Sequence, residues 1–232
     1  MTVTELYNLF RNDVMDVVKP QLWTDAEVYS YMDDAYKTFV RKTDGIPDAT
    51  SEVTQVSVVT GQEYAEVSPL IYKFREATLQ SSGRKLIIAN NEDLNRIIRV
   101  DDYGKNMSAG VNRPGRLTHM LIGLDRNNSR GIVRWAGIPL EDDVVNLTVY
   151  RMPKHTIKKG VCEDALDEIL EEHHVWLLHW MRHRAYSKDD SETLNKGLSN
   201  DNAASFLAYC RSVKFENDRY KSKTRIVSYG GI

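Results

Sequence analysis

Cysteine is nearly missing from this chain of 232 residues: Cys162 and Cys210 are the two, far apart and without a C-x-x-C partner. That excludes a zinc framework and a redox dithiol, and it points to a reducing compartment. No apolar run approaches the roughly 18 residues of a membrane span. The N-terminal MTVTELYNLFRNDVMD carries acids and an amphipathic pattern where a secretion signal needs a basic flank and an unbroken apolar core. Positive charge is not in excess either, with 31 Lys and Arg against 33 Asp and Glu, so a domain that coats nucleic acid is not indicated. G-x-G-x-x-G, G-x-x-x-x-G-K-[ST] and G-x-S-x-G are all absent, which removes the usual phosphate cradles and the nucleophile elbow. No internal repeat and no low-complexity segment interrupts the chain.

What is present is an ordinary globular composition, 41% hydrophobic and 28% charged, enough for one generous domain or two small ones. Thr2-x-x-Glu5 and Thr24-x-x-Glu27 each have the form of a capping box. The first precedes Leu6, Leu9, Phe10, Val14 and Val17 at helical spacing, closed by Pro20; the second precedes Val28, Tyr31, Met32, Ala35 and Phe39, closed at Asp44-Gly45. From Glu52 the period changes. TQVSVV, RKLIIA, RLTHMLIGL, GIVRWAGI and VVNLTVY are short, β-branched and bounded by turn residues, with DRNNSRG as a hairpin loop and further turns at Asn90-Asn91 and Arg113-Pro114-Gly115. SPLIYKFREATLQ suits either a strand or a helical turn. Acids at Glu163, Asp164, Asp167 and Glu168 predict a helix start, since the macrodipole favours negative charge there. That helix is expected to run to about Tyr186, and a fourth over 191–215, with Gly197 interrupting it.

The order α-α, β, α-α predicts an α+β fold: a four-helix bundle-like core of two N-terminal and two C-terminal helices carrying an inserted, mainly antiparallel β region. The expected divisions are 1–48 for the first helix pair, 49–153 for the insertion, 154–218 for the second pair and 219–232 for an extended tail.

Chemistry has one conspicuous place to sit, the run HHVWLLHWMRHRAYSKDDSET over 173–193. His173 falls inside an apolar stripe with Leu166, Ile169, Leu170, Leu177 and Trp180. His179 and His183 are four apart, a spacing that lets two imidazoles reach one metal, but the glutamate of H-E-x-x-H is missing and nothing completes four ligands. Arg184, on the apolar stripe, needs a carboxylate partner because a buried unpaired charge is costly. Asp189 or Asp190 folding back, or Asp33 or Asp34 from the second helix, would serve. Val175, Leu178 and Tyr186 make a second apolar stripe on the other side, suited to the chain's own core or to a neighbouring subunit. The tail RYKSKTRIVSYGGI sets Arg219, Lys221, Lys223 and Arg225 before Ile226 and Tyr229, which fits either a solvated helix end or a segment that docks on a partner.

Three stretches together resemble the head-to-tail adaptor, or head-completion, proteins of tailed bacteriophages. LWTDAEVYSYMDDAYKTFVRKT is similar to that family's second helix. RGIVRWAGIP followed by VVNLTVYRMP is similar to the closing strands of its β insertion, and the histidine-rich run resembles its penultimate helix, ending in Ala-Tyr-Ser and an acidic pair. KGLSND and the middle of the β region depart from the pattern. The resemblance implies a structural virion protein without catalytic or metal residues and without a cofactor. Such a protein is made in the host bacterial cytoplasm and placed at the head-tail neck, as a ring matching the portal's twelve-fold symmetry and extending the DNA channel. Implied partners are the portal protein, tail or tail-completion proteins, other copies of the chain, and DNA passing without sequence-specific contact; no membrane is implied. Arg219, Lys221, Lys223, Arg225, Ile226 and Tyr229 would dock on the portal, Val175, Leu178 and Tyr186 would pack subunits, and Arg184 with Asp189 and Asp190 would form a core ion pair. The alternatives are a tail-side completion protein, a DNA-binding module using the basic tail, and a metal-dependent enzyme using His179, His183 and Asp189.

Overall fold

Two threonines start the N-terminal helices as their spacing predicts. In α1 (Val3–Asp13) the Thr2 hydroxyl accepts from the Glu5 N–H at 3.1 Å while the Glu5 carboxylate accepts from the Thr2 N–H at 2.8 Å. In α2 (Asp25–Lys42) Thr24 and Glu27 exchange the same pair of bonds at 3.3 and 2.7 Å. The computed structural model describes residues 1–90, 115–123, 131–160, 163–189 and 193–221, without the side chain of Lys221. The turns expected at Asn91 and Arg113-Pro114, the 125–130 loop, Cys162, Asp190 and the tail from 222 lie outside the described residues.

The chain divides into two compact units, one of Met1–Asp44 with Pro153–Ile232 and the other of Gly45–Met152. Among the described residues the first holds four helices, α1 and α2 with α3 (Leu177–Tyr186) and α4 (Lys196–Lys221). They do not make the expected four-helix bundle, because two of them are too short to span one: α1 has 11 residues and α3 has 10. The long α2 and α4 pack with α3, and Phe39, Leu177, Met181 and Phe206 are almost fully buried. Each such side chain contributes about 1.5–3 kcal/mol by leaving water.

The helix expected from Glu163 is broken. Residues Ala165–Glu168 and Glu171–His173 form separate 3-10 turns, with Ile169 and Leu170 extended between them. The periodicity is real, but His174 overrides it: its buried imidazole Nε2–H donates to the carbonyls of Leu166 and Ile169 at 2.9 and 3.2 Å, taking acceptors a continuous helix would use. At the other helix, Gly197 does not interrupt α4 but lies in its first turn, where a glycine costs less.

The second unit is a curled sheet, and the whole is mixed α/β. Its strands among the described residues are β1 (Ile46–Asp48), β2 (Gln55–Val58), β3 (Tyr64–Glu66), β4 (Ile71–Leu79), β5 (Lys85–Asn90), β6 (His119–Ile122), β7 (Ile132–Trp135) and β8 (Asp143–Arg151). Seven follow one another as β1-β8-β4-β5-β6-β7-β3, and β2 joins β8. β1 and β2 both pair antiparallel with β8, at Val149–Arg151 and Asp143–Asn146 respectively, so one long strand carries two short ones. β5 and β6 pair in parallel. SPLIYKFREATLQ resolves as β4, interrupted by two register shifts against β8. Val56, Val58, Val145, Leu147 and Trp135 alternate inward and form the core.

Gly45 opens this unit with φ +89°, where an added Cβ would lie 3.0 Å from Tyr150 Cβ and 3.3 Å from the Arg151 carbonyl oxygen. Gly45→Ala should therefore combine a left-handed backbone with a clash against β8. A loss of about 1–3 kcal/mol is expected in denaturant titration. An unchanged midpoint would mean that β1 moves away from β8 at no cost.

Candidate functional site

The histidine run is a seam between α3 and α4. Trp176 stacks on Tyr209 with ring centroids 4.1 Å apart and on His179 at 5.3 Å. His173 is buried, shares a 2.9 Å hydrogen bond with the Tyr209 hydroxyl and lies 5.0 Å from the Phe39 ring. Burial holds its imidazole below the usual histidine pKa, although Glu172 pulls the other way.

His179 and His183 turn their Nδ1 atoms toward α4. Asn202 donates its amide N–H to the Leu198 carbonyl at 2.8 Å, which leaves its oxygen to accept from His179 Nδ1 at 3.0 Å. Ser199 donates its hydroxyl to the His183 carbonyl at 3.0 Å and accepts from His183 Nδ1 at 2.9 Å. Trp180 packs between His183 and Phe206. Both imidazoles are thus engaged in holding two helices together. Among the described residues no group of three or more His, Cys, Asp or Glu is placed to hold a metal ion.

Arg184 is not in the core. Its side chain is about half exposed, and its Nε lies 3.4 Å from Asp34, which also accepts from Trp180 Nε1 at 2.8 Å. Asp189 is exposed. The apolar stripe that seemed to bury Arg184 ends a turn earlier, at the half-buried Trp180. The second stripe divides: Leu178 is buried, Tyr186 meets Trp23 edge to face at 6.1 Å, and only Val175 stays exposed.

An ion network that sequence reading missed lies between α1 and α2. Arg11, 3% exposed, contacts Asp16 and reaches Asp25 at 3.1 Å and the Tyr7 hydroxyl at 3.0 Å. Asp16 also accepts from the N–H groups of Leu22 and Trp23 at 2.8 and 3.3 Å. Hydrogen bonds from Lys159, Tyr7 and Arg11 pull the Asp25 carboxyl down to about 2. The available signal was Arg11 itself, eight residues from Val3 and four from Tyr7 on the face that α1 buries.

The remaining feature is the end of α4. Val213 is its last buried residue; beyond it Phe215 is 65% and Tyr220 91% exposed, and the Arg219 guanidinium sits 6.0 Å from the Phe215 ring. Lys214 pairs with Asp44 at 3.0 Å. A helical unit built of packed aromatic seams, with Phe215 and Tyr220 left uncovered on an otherwise polar helix end, is equipped to bind protein.

The family model of the SU10 adaptor protein matches residues 1–224. The chain belongs to that family. It is a family of phage head-to-tail adaptors, so this is a bacteriophage structural protein whose partners are other head and tail proteins. No curated protein matches the adaptor chain. No helix among its described residues is long and apolar enough to cross a membrane.

Proposed function

We propose that this adaptor is one subunit of a ring seated at the virion neck between portal and tail. The ring matches the portal's twelve-fold symmetry and lengthens the channel through which DNA passes without sequence-specific contact. The observation that carries the docking part is the reach of α4. Eight residues, about 12 Å of helix at 1.5 Å each, continue past Val213 with Phe215 and Tyr220 exposed. The sequence then continues with Lys223, Arg225, Ile226 and Tyr229. A helix end bearing aromatics, followed by bases and apolar anchors, suits insertion into an apolar groove with an acidic rim on the portal.

The test is co-sedimentation with cognate portal rings of the full chain and of a chain cut after Val213. We expect the full chain to bind and the cut chain, still folded by the fluorescence of its buried tryptophan Trp23, to lose at least about tenfold in affinity. Equal binding by both chains would move docking elsewhere on the helical unit. Failure of both on the portal, with binding to tail tubes, would make the chain a tail-side completion protein.

A further inference from the structure

His179 and His183 each spend one ring nitrogen on α4, and the groups they meet there decide which nitrogen carries the proton. The Ser199 carbonyl oxygen, 3.1 Å from His183 Nδ1, can only accept, so Nδ1 is the protonated atom of that ring. Asn202 donates its amide N–H to Leu198, which turns its oxygen to His179 Nδ1 and fixes the same tautomer there. Nε2 of each neutral imidazole is left with its lone pair. Among the described residues neither Nε2 has a hydrogen-bond partner. Neither is sealed from water, unlike His174 Nδ1, which is buried without one.

The two rings sit one turn apart on α3, where Cβ atoms are about 5–6 Å apart and side chains share a face. Both Nδ1 atoms point at α4, so both Nε2 atoms point away from it. Aromatic contacts steady the rings, with Trp176 5.3 Å from His179 and Trp180 4.8 Å from His183. A histidine that ligates a metal through one nitrogen almost always donates its other N–H to a protein acceptor or water, which sets the tautomer and aims the ring. Here that support is built for two imidazoles at once. Packing of α3 on α4 uses the Nδ1 atoms and gives the Nε2 pair no task.

We propose that His179 and His183 chelate one divalent transition-metal ion, of the zinc, nickel or copper kind, through their Nε2 atoms. Imidazole nitrogen suits these ions, whereas magnesium and calcium take oxygen ligands. No third His, Cys, Asp or Glu among the described residues completes the set. The site is therefore a two-point clamp with water in its other positions, unlike a closed four-ligand zinc centre. It stands whether or not the chain forms the ring proposed above.

The experiment titrates the full-length chain with Ni²⁺ by calorimetry, with Mg²⁺ as the control. Saturable Ni²⁺ binding is expected, and none of Mg²⁺. His179→Asn and His183→Asn each keep an amide N–H near the former Nδ1 and remove Nε2, so the bond to α4 can persist while the ligand is lost. Either should weaken Ni²⁺ binding by more than about tenfold, whereas His155→Asn, at an exposed histidine outside the pair, should not. A second readout uses the wild type alone and decides the matter even where a variant fails to fold. Diethyl pyrocarbonate modifies neutral imidazoles, and Ni²⁺ should protect His179 and His183 from it, by mass spectrometry, while His155 stays reactive. No Ni²⁺ binding at about 1 mM, binding that both variants retain, or a pair left unprotected in the wild type would each overturn the site.

Discussion

Asp16→Ala should destabilise the helical unit by about 3–5 kcal/mol, the range for removing one partner of a buried ion pair. Arg11 and Asp16 have side chains only 3% exposed. Without the carboxylate, Arg11 keeps Asp25 and the Tyr7 hydroxyl, which tempers the loss. The N–H groups of Leu22 and Trp23 keep nothing equivalent, and an orphaned buried donor costs about 1–3 kcal/mol by itself. Asp16→Asn separates the two effects. Its amide oxygen can still accept from one N–H while the charge is gone, so its loss should be smaller. Urea titration followed by tryptophan fluorescence will report directly, because Trp23 is 2% exposed and donates its indole N–H to the Ala185 carbonyl at 3.2 Å. A change below about 0.5 kcal/mol in Asp16→Ala would mean that the loop is not held by this network.

The capping boxes at Thr2 and Thr24 were legible because they are local: three residues suffice to state the geometry. The helix ends they imply were less so. The stripe through Val14 and Val17 predicted a longer α1, but the helix stops at Asp13 because Asp16 is drawn inward by Arg11, a contact that periodicity does not encode. The same limit broke the bundle. The 3.6-residue pattern from Leu166 to Arg184 is compatible with one helix, and only the tertiary placement of His174 makes 3-10 turns of its first half. In the β unit the strand runs were visible as β-branched segments, whereas their partners were not. That β1 and β2 share β8, or that β5 lies parallel to β6, depends on contacts tens of residues apart.

The candidate site divides along the same line. His179 and His183 were legible as neighbours on one face, yet what their Nδ1 atoms meet lay in Ser199 and Asn202, sixteen and twenty-three residues on. Arg184 was placed inward by a stripe whose first half is not helix. Of the docking residues expected in the tail, Arg219 lies on the exposed end of α4, and the side chains from Lys221 onward lie outside the described residues.

Asp48→Ala should have the other large effect, about 3–5 kcal/mol at neutral pH, and should flatten the acid limb of unfolding of the β unit. Asp48 and Arg151 are each 7% exposed and paired at 2.5 Å. The same carboxylate accepts from the Ser51 hydroxyl at 2.7 Å and from the N–H groups of Ser51 and Thr50 at 3.1 Å each, which fixes the turn after β1. Burial alone would raise its pKa. Hydrogen bonds from Arg151, Ser51 and Thr50 outweigh that and hold the carboxyl well below the usual range. Because the folded pKa lies below the unfolded one, the stability that Asp48 contributes is fully present above about pH 4 and drains away as pH falls below it. Arg151 keeps the Met152 carbonyl at 3.1 Å, so β8 should stay formed in the variant while its link to β1 loosens. The measurement is urea stability at several pH values between about 2 and 7. Wild type should lose stability steeply below about pH 4, and Asp48→Ala should start lower and fall less. Parallel curves would place the acid-sensitive carboxylate elsewhere, with Asp143, which accepts from Ser81, as the next position to change.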